Sequence, residues 1–286
     1  MAVLMPALAQ PIVRKITNSD DVALGHFCTI GYLVQAAVAR VVGKNSKSTE
    51  DLTLPDNFKF LQDTYLSMAV VMVPMYLIPA VAAGPAYIAQ YANGVNYLMY
   101  SFMQSMQFVA GVFVLYSGVR LLLNELVPAF RGIAMRLVPN AKPALDCPVL
   151  FPYAPNAVIV GFLATTVGSI LGMLIFPMFG LAMILPGLLT NFFAGGTAGI
   201  FGNALGGRRG AVIGGVVHGL FITLLPAILV PLLEVFGFTG VTFSDSDVIS
   251  TGLILGHAFQ QDWLFVAAFV AFVAFIAFIA NRKLSQ

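Results

Sequence analysis

Residues Trp263 to Ala280 read WLFVAAFVAFVAFIAFIA, an unbroken apolar run that is followed by Asn281, Arg282 and Lys283. About 20 apolar residues are enough for a helix to cross the hydrocarbon of a bilayer, and this run is close to that length with no charge in it. Ala268, Ala271, Ala274, Ala277 and Ala280 recur every three residues, which predicts one small-residue packing face.

Working outward from this run, five more candidate spans appear, at about Thr64–Ala89, Tyr97–Leu123, Pro155–Met178, Leu181–Asn203 and Ala211–Phe236. Pro74 and Pro79 interrupt the first of them. Pro186 and the glycines from Gly195 to Gly207 break the fourth. Irregular backbone at membrane depth is tolerated only where protein or a water-filled cavity covers it, and transporter sites are often built from such broken helices. The same glycines equally suit close packing of helices. Ala23–Val42 has an apolar face but carries His26, Gln35 and Arg40, so it reads as an interfacial or partly inserted helix. The first residues look like the end of a membrane helix. Their positive charges, Arg14 and Lys15, follow the apolar stretch, whereas a signal peptide places them before it.

The whole composition agrees. Of 286 residues, 59% are hydrophobic and 9% charged, with a mean hydropathy of +0.91. Soluble domains carry about 25% charge. The fold class is therefore an all-α integral membrane protein with the lipid bilayer as solvent, and a soluble enzyme is excluded. The net charge of +2 is small and forms no basic stripe, so nucleic acid is not a partner. The two cysteines, Cys28 and Cys147, have neither disulfide-framework nor zinc-motif spacing and read as buried free thiols.

All 14 Lys and Arg fall in residues 14–63, 120–146, 206–210 and 281–286, which alternate along the six spans. The intervening loops 90–96, 178–186 and 237–262 contain none. The positive-inside rule places the charged segments, and with them the C-terminus, in the cytoplasm.

Ionisable groups in a membrane are expensive and are functional candidates by default. Asp146 opens a proline-studded stretch, Asp-Cys-Pro-Val-Leu-Phe-Pro-Tyr-Ala-Pro-Asn, that ends at Asn156. Its carboxylate suits a polyhydroxyl substrate, and equally suits hydration or pairing with Lys142. His26 follows Gly25, where the backbone permits close approach; it is either a ligand contact or an interfacial histidine. His218 lies inside a span, where a helix–helix hydrogen bond is its expected role. Arg208-Arg209 is either a topology anchor or a dock for an acidic partner or phosphate. There is no Walker motif, dinucleotide fingerprint or HExxH, and no nucleophile–base pair. No cofactor, metal or catalytic residue is expected.

Local strings go further. Gly25-His26, Ser48-Thr49-Glu50-Asp51-Leu52 and Leu54-Pro55 stand in order with Gly118-Val119-Arg120, Glu125-Leu126 and Arg136-Leu137-Val138-Pro139. Asp146-Cys147, Tyr153-Ala154-Pro155-Asn156-Ala157-Val158, Gly161-Phe162, Phe192-Phe193, Gly199-Ile200-Phe201 and Gly206-Gly207 follow. Over about Asp21–Phe236 the chain thus resembles the ascorbate-specific permease, or enzyme IIC component, of the bacterial phosphotransferase system. The resemblance implies a homodimeric inner-membrane transporter with inverted repeats, re-entrant hairpins, a scaffold domain and a core domain that moves as a rigid body. It implies inward transport of L-ascorbate or a similar sugar acid. Phosphorylation would come from a separate cytoplasmic IIB partner, itself supplied by IIA, with no phosphorylated residue in this chain.

Family substrate contacts fall on His26 and Asp146, with Phe27 and Asn156 beside them. The family commonly has Gln after the histidine. Phe27 removes that amide and points to a pentose or polyol permease as the alternative. Family members are longer, so the chain is expected to correspond to their C-terminal part, acting with a separately encoded N-terminal half or as a non-transporting membrane fragment. The implied division is 1–63 (helix tail, interfacial helix and loop), 64–124 (scaffold-type span pair), 125–210 (core-type segment with a broken helix) and 211–286 (C-terminal spans).

Overall fold

A computed structural model describes residues 4–20, 22–52, 64–137 and 144–282. The chain forms two compact units, one of residues 1–52 and 142–286, the other of residues 53–141.

The second unit is helical. Helix α3 (Thr64–Ala83) continues through Pro74 and Pro79, where the sequence suggested interruption. The break falls instead at Gly84, whose φ of +83° only glycine adopts readily, and Pro85 then starts α4 (Pro85–Ala92) at an angle of 115°. Proline inside a membrane helix is tolerated because neighbouring groups re-satisfy the freed carbonyl, whereas a left-handed residue reverses the chain. Helix α5 (Tyr97–Leu137) is apolar enough to span over Tyr97–Leu115 and continues well past it. Tyr65 meets Phe113, and Tyr76 meets Phe108, across the α3–α5 contact at ring separations of 5.0 and 6.4 Å.

The first unit holds α1 (Leu4–Thr17), β1 (Ala23–Leu24), α2 (Thr29–Val42), β2 (Ala144–Leu145), a 3-10 stretch (Cys147–Tyr153) and α6 (Pro155–Ile175). A single helical turn, α7 (Leu188–Thr190), leads through a π-turn (Asn191–Gly195) into α8 (Gly196–Val235). Helices α9 (Ser246–Phe259) and α10 (Trp263–Asn281) follow. Helix α2 packs into the first unit: Thr29–Ala37 and Ala39 are buried, because its apolar face has α8 as a partner.

Helices α6 and α8 meet backbone to backbone. A Cβ on Gly161 would stand 2.5 Å from the Gly199 Cα, and one on Gly199 would stand 2.3 Å from the Ala157 carbonyl oxygen. Only glycine permits that approach.

Among the described residues, four helical segments are long and apolar enough to cross a membrane, or five when the bent α3–α4 pair is one span. The sequence suggested about six. The difference lies in Leu181–Phe236: residues 181–187 are not helical, and Leu188–Val235 is hydrogen-bonded as one run. Yet α8 folds back on itself at Gly207 (φ 55°, ψ −151°). A Cβ on Gly202 would lie 2.6 Å from the Gly210 carbonyl oxygen, although eight residues of straight helix cover about 12 Å. The two arms therefore run in opposite directions.

The loop Ser46–Asp51 clasps this fold-back. Arg208 donates from its backbone N–H to the Lys47 carbonyl at 2.8 Å and from Nε to the Ser48 carbonyl at 2.9 Å. Asn203 Oδ1 accepts from the Thr49 N–H at 2.8 Å. Glu50 then caps α6 from outside it: the N–H groups of Asn156 and Ala157 donate to its two carboxylate oxygens at 3.2 and 2.9 Å. Helix α6 has no side-chain cap of its own, so this carboxylate meets two orphan donors at the positive end of the helix. Glu50→Ala is expected to lower stability by about 1–3 kcal/mol, and Glu50→Gln by less, read as the thermal midpoint of the purified protein.

In α10 only Val273, Ile276, Ala277 and Ala280 are buried, so the alanine stripe packs at its C-terminal end while Ala268, Ala271 and Ala274 stay exposed. There the Arg40 Nε donates to the Ala280 carbonyl at 2.7 Å and Asn281 to the Leu8 carbonyl at 2.8 Å.

Candidate functional site

The site is assembled by the smallest element in the fold. Strands β1 and β2 pair in parallel, Ala23 opposite Ala144 and Leu24 opposite Leu145, and the Gly25 N–H extends the ladder to the Leu145 carbonyl at 2.7 Å. The residues that leave these strands are His26 and Asp146. Pairing brings them face to face, with His26 Nε2 3.9 Å from Asp146 Oδ1. A Cβ on Gly25 would lie 3.0 Å from the Ala144 Cβ, so the glycine lets the strands approach.

Each partner is held from behind. The other ring nitrogen of His26, Nδ1, is hydrogen-bonded to the Tyr32 hydroxyl, and the two rings stack at 5.8 Å. Tyr32 is fully buried and packs against Phe201 and His218. The Asp146 carboxylate accepts the Cys147 N–H at 2.7 Å and starts the 3-10 stretch. Burial lowers the pKa of His26, while the charges of Asp146 and Asp245 pull it back upward. The imidazole is thus neutral near pH 7. In the tautomer in which Tyr32 donates to Nδ1, the ring proton sits on Nε2 and faces the carboxylate.

At 3.9 Å the pair is too far apart for a direct hydrogen bond. One donor and one acceptor separated in this way suit a hydroxyl placed between them, which accepts from His26 and donates to Asp146. The His26 side chain is 17% exposed and that of Asp146 56%, so the carboxylate is open to a ligand and the imidazole is sheltered.

The other expected residues behave differently. The Phe27 side chain is 48% exposed, and its carbonyl accepts the Asp247 N–H at 2.8 Å. Asn156 is turned to the Ser46–Asp51 loop, where its amide donates to the Thr49 carbonyl at 3.3 Å. Lys142, the alternative partner for Asp146, lies outside the described residues. His218 Nδ1 meets Thr165 Oγ1 at 3.2 Å, a bond between α8 and α6 of the kind its position in a span suggested.

Residues the sequence did not single out complete the surroundings. Asp247, in the first turn of α9, accepts the N–H groups of Thr29 and Ile30 at 3.1 and 2.8 Å and so caps α2 immediately after His26. Burial pushes its carboxyl up to about 6 against the pull of these donors. Ser246 Oγ accepts the Gly31 N–H at 3.3 Å. Cys28 donates its thiol proton toward Asp245 Oδ1 at 3.4 Å. Ligand atoms of His26, Cys28 and Asp245 lie within 4.8 Å of one another, as do those of His26, Asp146 and Cys147. The cysteine spacing held no sign of this, since Cys28 and Cys147 reach the same histidine only through the fold.

An all-α membrane protein with a half-buried polar pair beside glycine-packed broken helices has the build of a membrane permease. The family model of the PTS system sugar-specific permease component (EIIC-GAT) matches residues 1–247, and the chain belongs to that family. It is also 24% identical over 232 residues to the ascorbate-specific PTS system EIIC component of Mycoplasma pneumoniae, a match covering 71% of this chain and 35% of that protein. The chain thus spans about a third of the length of the curated relative it matches.

Proposed function

We propose that this chain supplies the substrate-holding part of a permease that carries L-ascorbate, or a similar small sugar acid, inward. His26 and Asp146 hold one hydroxyl of the substrate between them. The observation that carries this reading is their 3.9 Å separation, with a neutral donor on one side and a carboxylate acceptor on the other. The name of the Mycoplasma pneumoniae relative supports the substrate class. Phosphorylation by a cytoplasmic IIB component, fed by IIA, belongs to the same proposal, as do a homodimeric assembly and a further N-terminal portion.

The first unit, which contains the site, takes the role of the moving core, and the second unit that of the scaffold. The segregation of all 14 Lys and Arg supports a cytoplasmic C-terminus. A pentose or polyol is the second reading. It rests on Phe27, whose exposed ring offers no hydrogen bond where the family commonly has an amide.

The test is binding of labelled ascorbate to the complete assembly. Asp146→Ala is expected to weaken binding at least tenfold, in line with the roughly 1.5–3 kcal/mol of a hydrogen bond to a charged group. Undiminished binding would remove Asp146 from the site. Stronger competition by unlabelled pentoses or polyols than by ascorbate would establish the second reading.

A further inference from the structure

Two donors that do not serve the substrate pair, the thiol of Cys28 and the carboxylate of Asp245, converge on one that does, the imidazole of His26. We propose that they form a binding site for a thiophilic divalent cation of the zinc–cadmium class.

The donor set carries the chemistry. Nitrogen, sulfur and oxygen ligands together are what a borderline-soft d10 cation takes, and hard cations such as magnesium prefer oxygen alone. The geometry is close to what such an ion needs. Tetrahedral bonds of about 2.3 Å to sulfur and 2.0–2.2 Å to oxygen place those two donors about 3.6 Å apart. Cys28 Sγ and Asp245 Oδ1 are 3.4 Å apart, and all three donors lie within 4.8 Å of one another. Three protein ligands leave a fourth position for water.

The donors are also held in place. The Asp247 N–H binds the Phe27 carbonyl, and the Asp247 carboxylate binds the N–H groups of Thr29 and Ile30, so the start of α9 is fixed to residues 27–30. Metal-bound histidines almost always engage their other nitrogen with an outer partner. Tyr32 does this for His26 on Nδ1: in the tautomer that carries the proton on Nδ1, that N–H donates to the Tyr32 oxygen and Nε2 is free to coordinate. The N-termini of α2 and α9 carry partial positive charge that opposes a cation. The Cys28 thiolate and the carboxylates of Asp245 and Asp247 offset it. Cys28 loses its thiol proton to solvent as the sulfur–metal bond forms. The bound ion occupies the His26 nitrogen that faces Asp146, so cation and substrate exclude one another. The cation site itself does not depend on what the substrate is.

The test uses Cd2+ as the probe on the purified full chain, with no substrate present, and reads bound metal by equilibrium dialysis and the near-ultraviolet thiolate-to-cadmium absorption. One Cd2+ per chain is expected, with the absorption lost in Cys28→Ser and kept in Cys147→Ser. Asp245→Asn is expected to weaken Cd2+ binding at least tenfold, and it serves equally if Cys28→Ser does not fold. Absence of the absorption in the folded wild type would overturn the proposal. So would its loss in Cys147→Ser with retention in Cys28→Ser, or an affinity unchanged by Asp245→Asn.

Discussion

Gly199→Leu is expected to abolish the folded protein. A Cβ at this position would lie 2.3 Å from the Ala157 carbonyl oxygen and 2.5 Å from the Gly161 Cα, both backbone atoms of α6 that cannot rotate away. Relief requires α6 and α8 to separate, and that breaks the contact on which the first unit is centred. The cost exceeds about 4 kcal/mol, the range reached when a core is forced apart. The measurement is the yield of monodisperse protein in detergent and its thermal midpoint. Gly111→Leu in α5 is the control, because nothing lies within 4 Å of a Cβ there, and it is expected to behave as wild type. Equal behaviour of the two variants would mean that the glycine contact does not hold the helices together.

Asp247→Ala is expected to lower stability by about 2–5 kcal/mol and to loosen the His26–Asp146 pair as well. The carboxylate meets two buried N–H groups of α2, and its removal leaves Thr29 and Ile30 without acceptors at the end of the helix. The same helix start carries His26 three residues earlier. Asp247→Asn retains one acceptor oxygen and is expected to fall between wild type and alanine. A thermal midpoint unchanged in Asp247→Ala would show that water caps α2 equally well, and that α9 does not anchor the site.

What was legible in the sequence follows from how local its cause is. The apolar runs at Tyr97, Pro155 and Trp263 announce their helices, because crossing hydrocarbon requires only composition and length. Pro155 marks the start of α6 because proline is preorganised for a first turn. The bend at Gly84 was missed in favour of Pro74 and Pro79, since proline is the more conspicuous breaker and only the backbone angle at Gly84 reveals the turn. The partner of His26 was nameable from the family resemblance, but its 3.9 Å placement depends on a two-residue strand pair that no periodicity betrays. Asp247 and Asp245 read as loop carboxylates because their partners lie at the other end of the chain: the Thr29–Asp247 contact spans 218 residues. Glu50 stands within the Ser48–Leu52 motif, and only the fold explains it, as a cap for a helix that begins more than 100 residues later.

The 218-residue reach of Asp247 also has a consequence for how the protein is made. A ribosome adding about 5–20 residues per second produces Thr29 roughly 10–45 s before it produces the aspartate that caps it. During that interval His26 leaves the exit tunnel and passes the translocon ahead of Asp146, and the helix after it waits with open amides. The start of α2, three residues after His26, is therefore capped only once Asp247 has been made, so pausing between Asp146 and Asp247 prolongs a state in which that helix end stays open.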